Sequence, residues 1–268
     1  MQKITSNVYV ESKISLCNSS CVVTKDGVVV IDTPFVPANA KKLAAEISKF
    51  GKIRYVINTE PHRDHISGNC YFGGTLITHD GTRDAILASK VEDIKDLLQV
   101  EAPGAVLDDD FRYRPSDITF SQGLTFYLGD HSFHLINMPG HSPYQVIVYI
   151  PEERVIFTSD NIVRGLPFLH QAIPDKWLKT LKQLQEFDVD YVVPGHGEVG
   201  DKSCISDMYD IVTTWVETVK EAIAQGMTRK EVQQKVTMVK QFPNLPRDER
   251  TAGIIVRNVG RLYDVLTE

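Results

Sequence analysis

NTEPHRDHISGN, residues 58–69, holds two histidines and two carboxylates within six positions: Glu60, His62, Asp64 and His65. It follows IRYVIN (53–58), an apolar, β-branched run that reads as a buried strand. Pro61 helps to end that strand. The polar cluster therefore stands where a strand becomes a loop. It is either a metal site or a solvated charged loop, and the remainder of the chain decides which.

Upstream, VYVESKISLCNSSCVVTKDGVVVIDTP alternates short β-branched runs with turn signals, and KDG (25–27) reads as a hairpin turn. PANAKKLAAEISKFG then reads as a helix, with Leu43, Ile47 and Phe50 as its apolar stripe and Gly51 as its stop. Downstream the rhythm repeats. DITF, LTFYLG, HSFHLINM, YQVIVYI and RVIFTSD read as short strands. PDKWLKTLKQLQEF (174–187) reads as a helix with Asp175 as N-cap and Trp177, Leu181 and Leu184 on one face. VDYVVPGHG (189–197) is again a strand running into a loop. Sheets followed by helices, twice, fit two sheets packed inside two helical layers.

The tail is helical. Ile205, Met208, Val212, Trp215, Val219 and Ile223 keep helical spacing up to Gly226, TRKE (228–231) has the form of a capping box, and Ile255, Val259, Leu262 and Leu266 mark a last amphipathic helix. The expected organisation is a main domain over 1–200 and a helical extension over 201–268 packed on it. At 268 residues, 42% hydrophobic, the chain can bury a sizeable core. A net charge of −6 without a basic block argues against nucleic acid and anionic membrane as partners. No apolar run has the length of a membrane span, and the N-terminus lacks a signal-peptide core. The four cysteines are scattered; Cys17 and Cys21 are expected on one face of a strand as core residues, which fits a reducing cytoplasm.

Of eight histidines, His62, His65, His141 (MPGHS) and His196 (VPGHG) stand in strand-end loops beside glycine or a carboxylate, and Asp160 (FTSD) ends another strand in the same manner. One such histidine alone is ordinarily a hydrogen-bonded structural residue. Four in matching contexts, with three carboxylates, point to metal.

EPHRDH resembles the H-x-H-x-D-H signature of the metallo-β-lactamase superfamily, and MPGHS, FTSD and VPGHG match its later metal motifs in order. DGVVVIDT (26–33) resembles the strand pair before the signature and FGGTLITHDGTRDAI (72–86) the segment after it, so the resemblance covers about residues 7–200. It implies an α/β fold, a four-layer αβ/βα sandwich with the metals at one edge between the sheets. It implies two divalent ions: Glu60, His62 and His141 on the first, Asp64, His65 and His196 on the second, and Asp160 bridging them. It further implies hydrolysis by a bridging hydroxide, with Asp64 orienting it, on a small-molecule ester, lactone, thioester or amide. Zinc is the expected metal.

Glu60 departs from the family, which usually has histidine there. A carboxylate oxygen is a harder donor and shifts preference toward manganese or iron; the other reading is that Glu60 only accepts a hydrogen bond. An iron-dependent redox or dioxygenase chemistry is the rival function, and β-lactam hydrolysis a second alternative. Four residues are expected at the substrate: His170 (GLPFLHQ) and Tyr144 beside the pocket, and Phe111 and Tyr113 in a long irregular loop of lid type. His79 is expected to bond near a helix start, and His131 and His134 to occupy turn and strand positions. A small-molecule substrate is the expected partner, and a homodimer stays open.

Overall fold

The computed structural model describes residues 1–14 and 16–268. The first sheet joins seven strands in chain order: β1 (Gln2–Lys3), β2 (Val8–Glu11), β3 (Ser19–Thr24), β4 (Gly27–Ile31), β5 (Ile53–Ile57), β6 (Thr75–His79) and β7 (Ile118–Phe120). Its first half is antiparallel and β4 to β7 run parallel. The parallel part needs crossovers, which α1 (Pro37–Ile47), α2 (Arg63–Ile66), α3 (Asp80–Ala88) and α4 (Val91–Glu101) accompany. The second sheet has the order β12 (Tyr191–His196), β11 (Val155–Val163), β10 (Val146–Ile150), β9 (His131–Asn137), β8 (Gly123–Leu128). Only β11 and β12 pair in parallel there, around α5 (Pro174–Leu184). The chain closes with α6 (Ser203–Ala224), α7 (Arg229–Lys235) and α8 (Glu249–Thr267).

Three apolar clusters fix the layers. Between the sheets, Val8, Val22, Val29, Ile31 and Ile57 meet Phe133, Leu135, Val148, Ile150 and Phe157. The outer face of the first sheet buries Val28, Val30, Val56 and Leu76 against Leu43 and Ile47 of α1. The outer face of the second buries Ile147, Ile156 and Val192 against Trp177, Leu181, Met208, Trp215, Val259 and Leu262. The result is the αβ/βα sandwich. Helices α6 and α8 share that last cluster with α5, so the C-terminal residues complete its helical layer. Among the described residues no helix is long and apolar enough to cross a membrane.

Several local expectations need correction. DITF becomes β7, which pairs parallel with β6 in the first sheet instead of joining the second. Helix α1 ends at Ile47, and Phe50, past its end, is 40% exposed and stacks on Tyr9. Asp175 does not cap α5: Ile173 is the N-cap, Pro174 begins the helix, and Asp175 lies in its first turn. Cys17 is buried but lies outside any strand, so it shares no strand face with Cys21 in β3. Thr228 and Glu231 do form the reciprocal capping box of α7. The periodicity reading does not pick out α3 and α4, whose buried positions are few.

Candidate metal centre

Strand β5 delivers the first loop of candidate ligands. Beyond Ile57 the chain turns through Asn58, Thr59 and Glu60 into α2, with His62 as N-cap and Asp64 and His65 in the helix. Buried amides hold that turn shut. Asn58 donates to the His65 carbonyl at 2.9 Å, and Asn58 and Asn69 exchange side-chain hydrogen bonds. Thr33 donates to the Asn69 side chain and the His65 carbonyl. Every such group is buried, so leaving one unpaired would cost about 1–3 kcal/mol.

Two glycines allow the other loops to close in. A Cβ on Gly140 would lie 2.3 Å from Asn161 Oδ1 and 2.8 Å from the Trp177 ring. Only glycine lets the turn before His141 approach them, and Asn161 Oδ1 then accepts from the His141 backbone N–H at 3.0 Å. A Cβ on Gly195 would lie 1.8 Å from Asp160 Oδ1. Asp160 does not end its strand as expected. It sits inside β11, which is bulged on either side of Ser159, and Ser159 has a φ of 49°. The bulge re-aims the carboxylate toward the other ligands.

The seven expected residues converge in two groups, Glu60 with His62, His141 and Asp160, and Asp64 with His65 and His196; the ligand atoms of each group lie within 4.8 Å of one another. Asp160 reaches both: its Oδ2 is 3.7 Å from His141 Nε2 and 3.2 Å from His196 Nε2, and its Oδ1 is 3.4 Å from His65 Nε2. Glu60 Oε2 is 2.7 Å from His62 Nδ1, and Glu60 Oε1 is 3.1 Å from His65 Nε2. Asp64 Oδ2 is 3.3 Å from His196 Nε2.

Close as they are, Glu60 Oε2, His65 Nε2 and Asp160 Oδ1 are buried and make no proper hydrogen bond among the described residues. Buried carboxylates without partners are costly, and a cation is the partner that would satisfy all three atoms together. The donor set therefore fits divalent metal.

Charge in the metal-free cluster follows its geometry. Burial opposes an imidazolium at His62 and at His196, but Glu60 beside the first and Asp160 beside the second hold each up to about 9. Burial keeps His141 neutral, down to about 3. Burial also raises Glu60, against the pull of His62. For Asp160 burial is outweighed by His196 and His65, which keep it well below the usual carboxylate range.

The surrounding residues orient the ligands, and here the structure adds what the sequence reading missed. Asp32, at φ 56°, accepts from His65 Nδ1 at 3.0 Å and from Thr59 at 2.8 and 2.6 Å. The Nδ1–H bond leaves His65 Nε2 facing the cluster. The strand-end IDT within DGVVVIDT was the available signal. His196 Nδ1 donates to the Leu16 carbonyl, which fixes that ring similarly. Trp177 donates to the Asn161 carbonyl and lies edge-on to His141.

Of the four residues expected at the substrate, His170 comes to the cluster. Its ring centroid is 5.0 Å from that of His62 and 6.1 Å from that of His141, on an exposed rim. Burial holds it down to about 4, with His62 adding to the effect. Asn258 of α8 secures its loop, accepting from the Leu169 N–H and donating to the Pro167 carbonyl. Tyr144 instead stacks on His79 and covers Gly81. Phe111 is 7% exposed and packs with Phe35, Ile94 and Leu98, and Tyr113 lies edge-on against it. Their loop is irregular, and Arg114 ties it down through the Phe72 and Gly74 carbonyls. His79 caps α3, accepting from the Gly81 N–H, and His131 pairs with Glu153 at 2.8 Å.

The profile of the metallo-beta-lactamase superfamily matches residues 14–196. A metallo-beta-lactamase type 2 from Elizabethkingia meningoseptica is 25% identical over 236 residues, covering 82% of this chain and 87% of the relative. A linear primary-alkylsulfatase from a Pseudomonas strain is 21% identical over 80% of this chain, which spans 48% of that longer protein. Among solved structures, a metallo-beta-lactamase from Pontibacter korlensis superimposes with a TM-score of 0.63 at 22% identity, covering 79% of this chain and 97% of that one. At that identity the likeness concerns the fold.

Proposed function

The chain belongs to the metallo-β-lactamase superfamily and is a metallo-hydrolase, and from that premise we propose a dinuclear enzyme for a small-molecule ester, lactone, thioester or amide. The observation that carries this reading is the convergence of four imidazoles and three carboxylates in two adjoining groups, with Asp160 in contact with both. Glu60, His62 and His141 would hold one ion, Asp64, His65 and His196 the other, and Asp160 would span them. Divalent ions bound there would supply Lewis acidity and lower the pKa of water to about 7, so that hydroxide is available at neutral pH.

The chain's own residues divide the remaining work. Asp64 has a 19% exposed side chain, against 0% for Glu60 and 8% for Asp160. It is the carboxylate placed to meet an incoming water, orient it and take its proton. His170 overhangs His62 from the rim and, neutral at pH 7, can donate an N–H hydrogen bond to substrate. Asp32 and the Leu16 carbonyl keep the two second-ion imidazoles in the tautomer that presents Nε2.

Zinc is the expected ion. Glu60 makes the first group two carboxylates and two imidazoles, a harder set that also admits manganese or iron. The four free cysteines support a reducing cytoplasm as the compartment.

The test is elemental analysis of protein purified without chelator, followed by assay against esters, lactones, thioesters, β-lactams and alkyl sulfates, with oxygen uptake recorded in parallel. Two divalent ions and hydrolysis abolished by chelation are expected. Bound iron with oxygen consumption and no hydrolysis would overturn the proposal.

A further inference from the structure

The connection between β2 and β3 contributes none of the seven candidate ligands, yet three consecutive residues in it, 16–18, grip both loops of the second group. Cys17 Sγ, fully buried, donates to the Asp64 carbonyl at 2.9 Å. The Leu16 carbonyl accepts from His196 Nδ1 at 2.5 Å. Asn18, 5% exposed, uses its side-chain amide to donate to the Pro194 carbonyl at 2.9 Å and the Gly197 carbonyl at 2.7 Å, while its backbone N–H donates to the Gly195 carbonyl at 2.7 Å. Those three carbonyls bracket His196 on either side.

The consequence is asymmetric. The ring of His196 is oriented by its Nδ1–H bond to Leu16, and Asn18, two residues on, ties the same strap to the carbonyls on both sides of His196. The neighbours that hold the first group are different residues: Asn161 and Trp177 at His141, and Ser159 at Glu60. We propose that Asn18 is a positioning residue for the second metal subsite, and that the 16–18 strap sets the affinity of that subsite while leaving the first unaffected. The proposal rests on the reading of the cluster as two metal subsites.

Outer partners of a ligand typically set metal affinity by about 10–100-fold. Here the two amide N–H groups of Asn18 each satisfy a carbonyl in the His196 loop. Asn18→Ala frees both carbonyls and lets the loop move, whereas the β5–α2 turn keeps its own amide clamp through Asn58 and Asn69.

The experiment titrates metal-free protein with Zn²⁺ against a chromophoric chelator and records the absorption spectrum with Co²⁺. Wild type is expected to take up two ions. Asn18→Ala should hold one ion as wild type does and the other about 10–100-fold more weakly, with one of the two cobalt components lost. In an Asp64→Ala background, where the second subsite is already lost, Asn18→Ala should leave the remaining ion unchanged. If Asn18→Ala does not fold, Cys17→Ala removes the 2.9 Å contact to the Asp64 carbonyl, along with longer ones to Ser19 and the Thr33 carbonyl, and should weaken the same ion, while Cys17→Ser keeps a donor and restores it. Two ions bound with wild-type affinity in the folded variant, or both weakened alike, would overturn the proposal. Fewer than two ions in wild type overturns the two-subsite reading itself, and with it the proposal, and is read without any variant.

Discussion

Glu60 and His62 form an enclosed carboxylate–imidazole pair, with Oε2 and Nδ1 2.7 Å apart and no exposed surface on the carboxylate. The pair couples the charge of the first subsite to one residue. Glu60→Gln keeps the shape and removes the charge, so it should weaken the first ion and reduce the preference for manganese or iron over zinc. Glu60→His should shift preference toward zinc. Metal content and zinc–manganese competition in both variants provide the check. If neither quantity changes in either variant, Glu60 is not a ligand.

Metal affinity should rise with pH. In the metal-free protein, Glu60 holds His62 and Asp160 holds His196 up to about 9, so both carry protons at neutral pH that a bound ion must displace. His141, held down to about 3 by burial, has none to lose. Affinity should therefore climb by up to about tenfold per pH unit for each displaced proton through the range in which His62 and His196 lose theirs. Titrations across the neutral range read this slope, and a flat profile would contradict the protonation pattern.

Asp64 is the most sensitive single position for activity. Asp64→Ala removes a second-subsite ligand and the carboxylate that meets water, so turnover should fall by more than the ~100-fold typical of outer partners. The apolar clusters lie elsewhere, so circular dichroism and the melting temperature of the metal-free protein should stay near wild type. A folded variant with near wild-type turnover refutes the mechanism.

Trp215 tests the C-terminal layer. It is fully buried in the cluster shared by α5, α6 and α8 and stacks on Phe242. Trp215→Ala should cost about 3–5 kcal/mol, lowering the melting temperature by about 2–4 °C for each kcal/mol. Metal stoichiometry of the folded fraction should be unchanged. A loss under about 1 kcal/mol would mean that the layer is not integral to the core.

The loops that bring the candidate ligands together were legible because their chemistry is scarce. Few contexts other than metal bring EPHRDH, PGHS and PGHG to successive strand ends, and Gly140 and Gly195 turn out to be required by close approach to Asn161, Trp177 and Asp160. The strand and helix order was readable from periodicity for the same reason that the layers exist, since each face is apolar. Non-local choices were not. The pairing of β7 with β6 depends on a partner some forty residues away, and nothing in DITF encodes it. Asp32 looks like any strand-end aspartate until His65 is folded against it. The bulge that places Asp160 inside β11 has no local signature, because Ser159 adopts its left-handed φ without a glycine.

His196 belongs to β12, the last strand made, while Glu60, His62, Asp64 and His65 follow β5 in the other sheet. On a ribosome the first four donors emerge long before the fifth, sixth and seventh, and an ion captured early meets only half a cage. Full coordination has to wait until the two sheets dock through their shared apolar seam. Ions held there, as proposed, would rivet that seam from its edge. Binding to the folded state alone would then deepen stability with each increment of free metal, and release of the ions would be coupled to the parting of the two sheets.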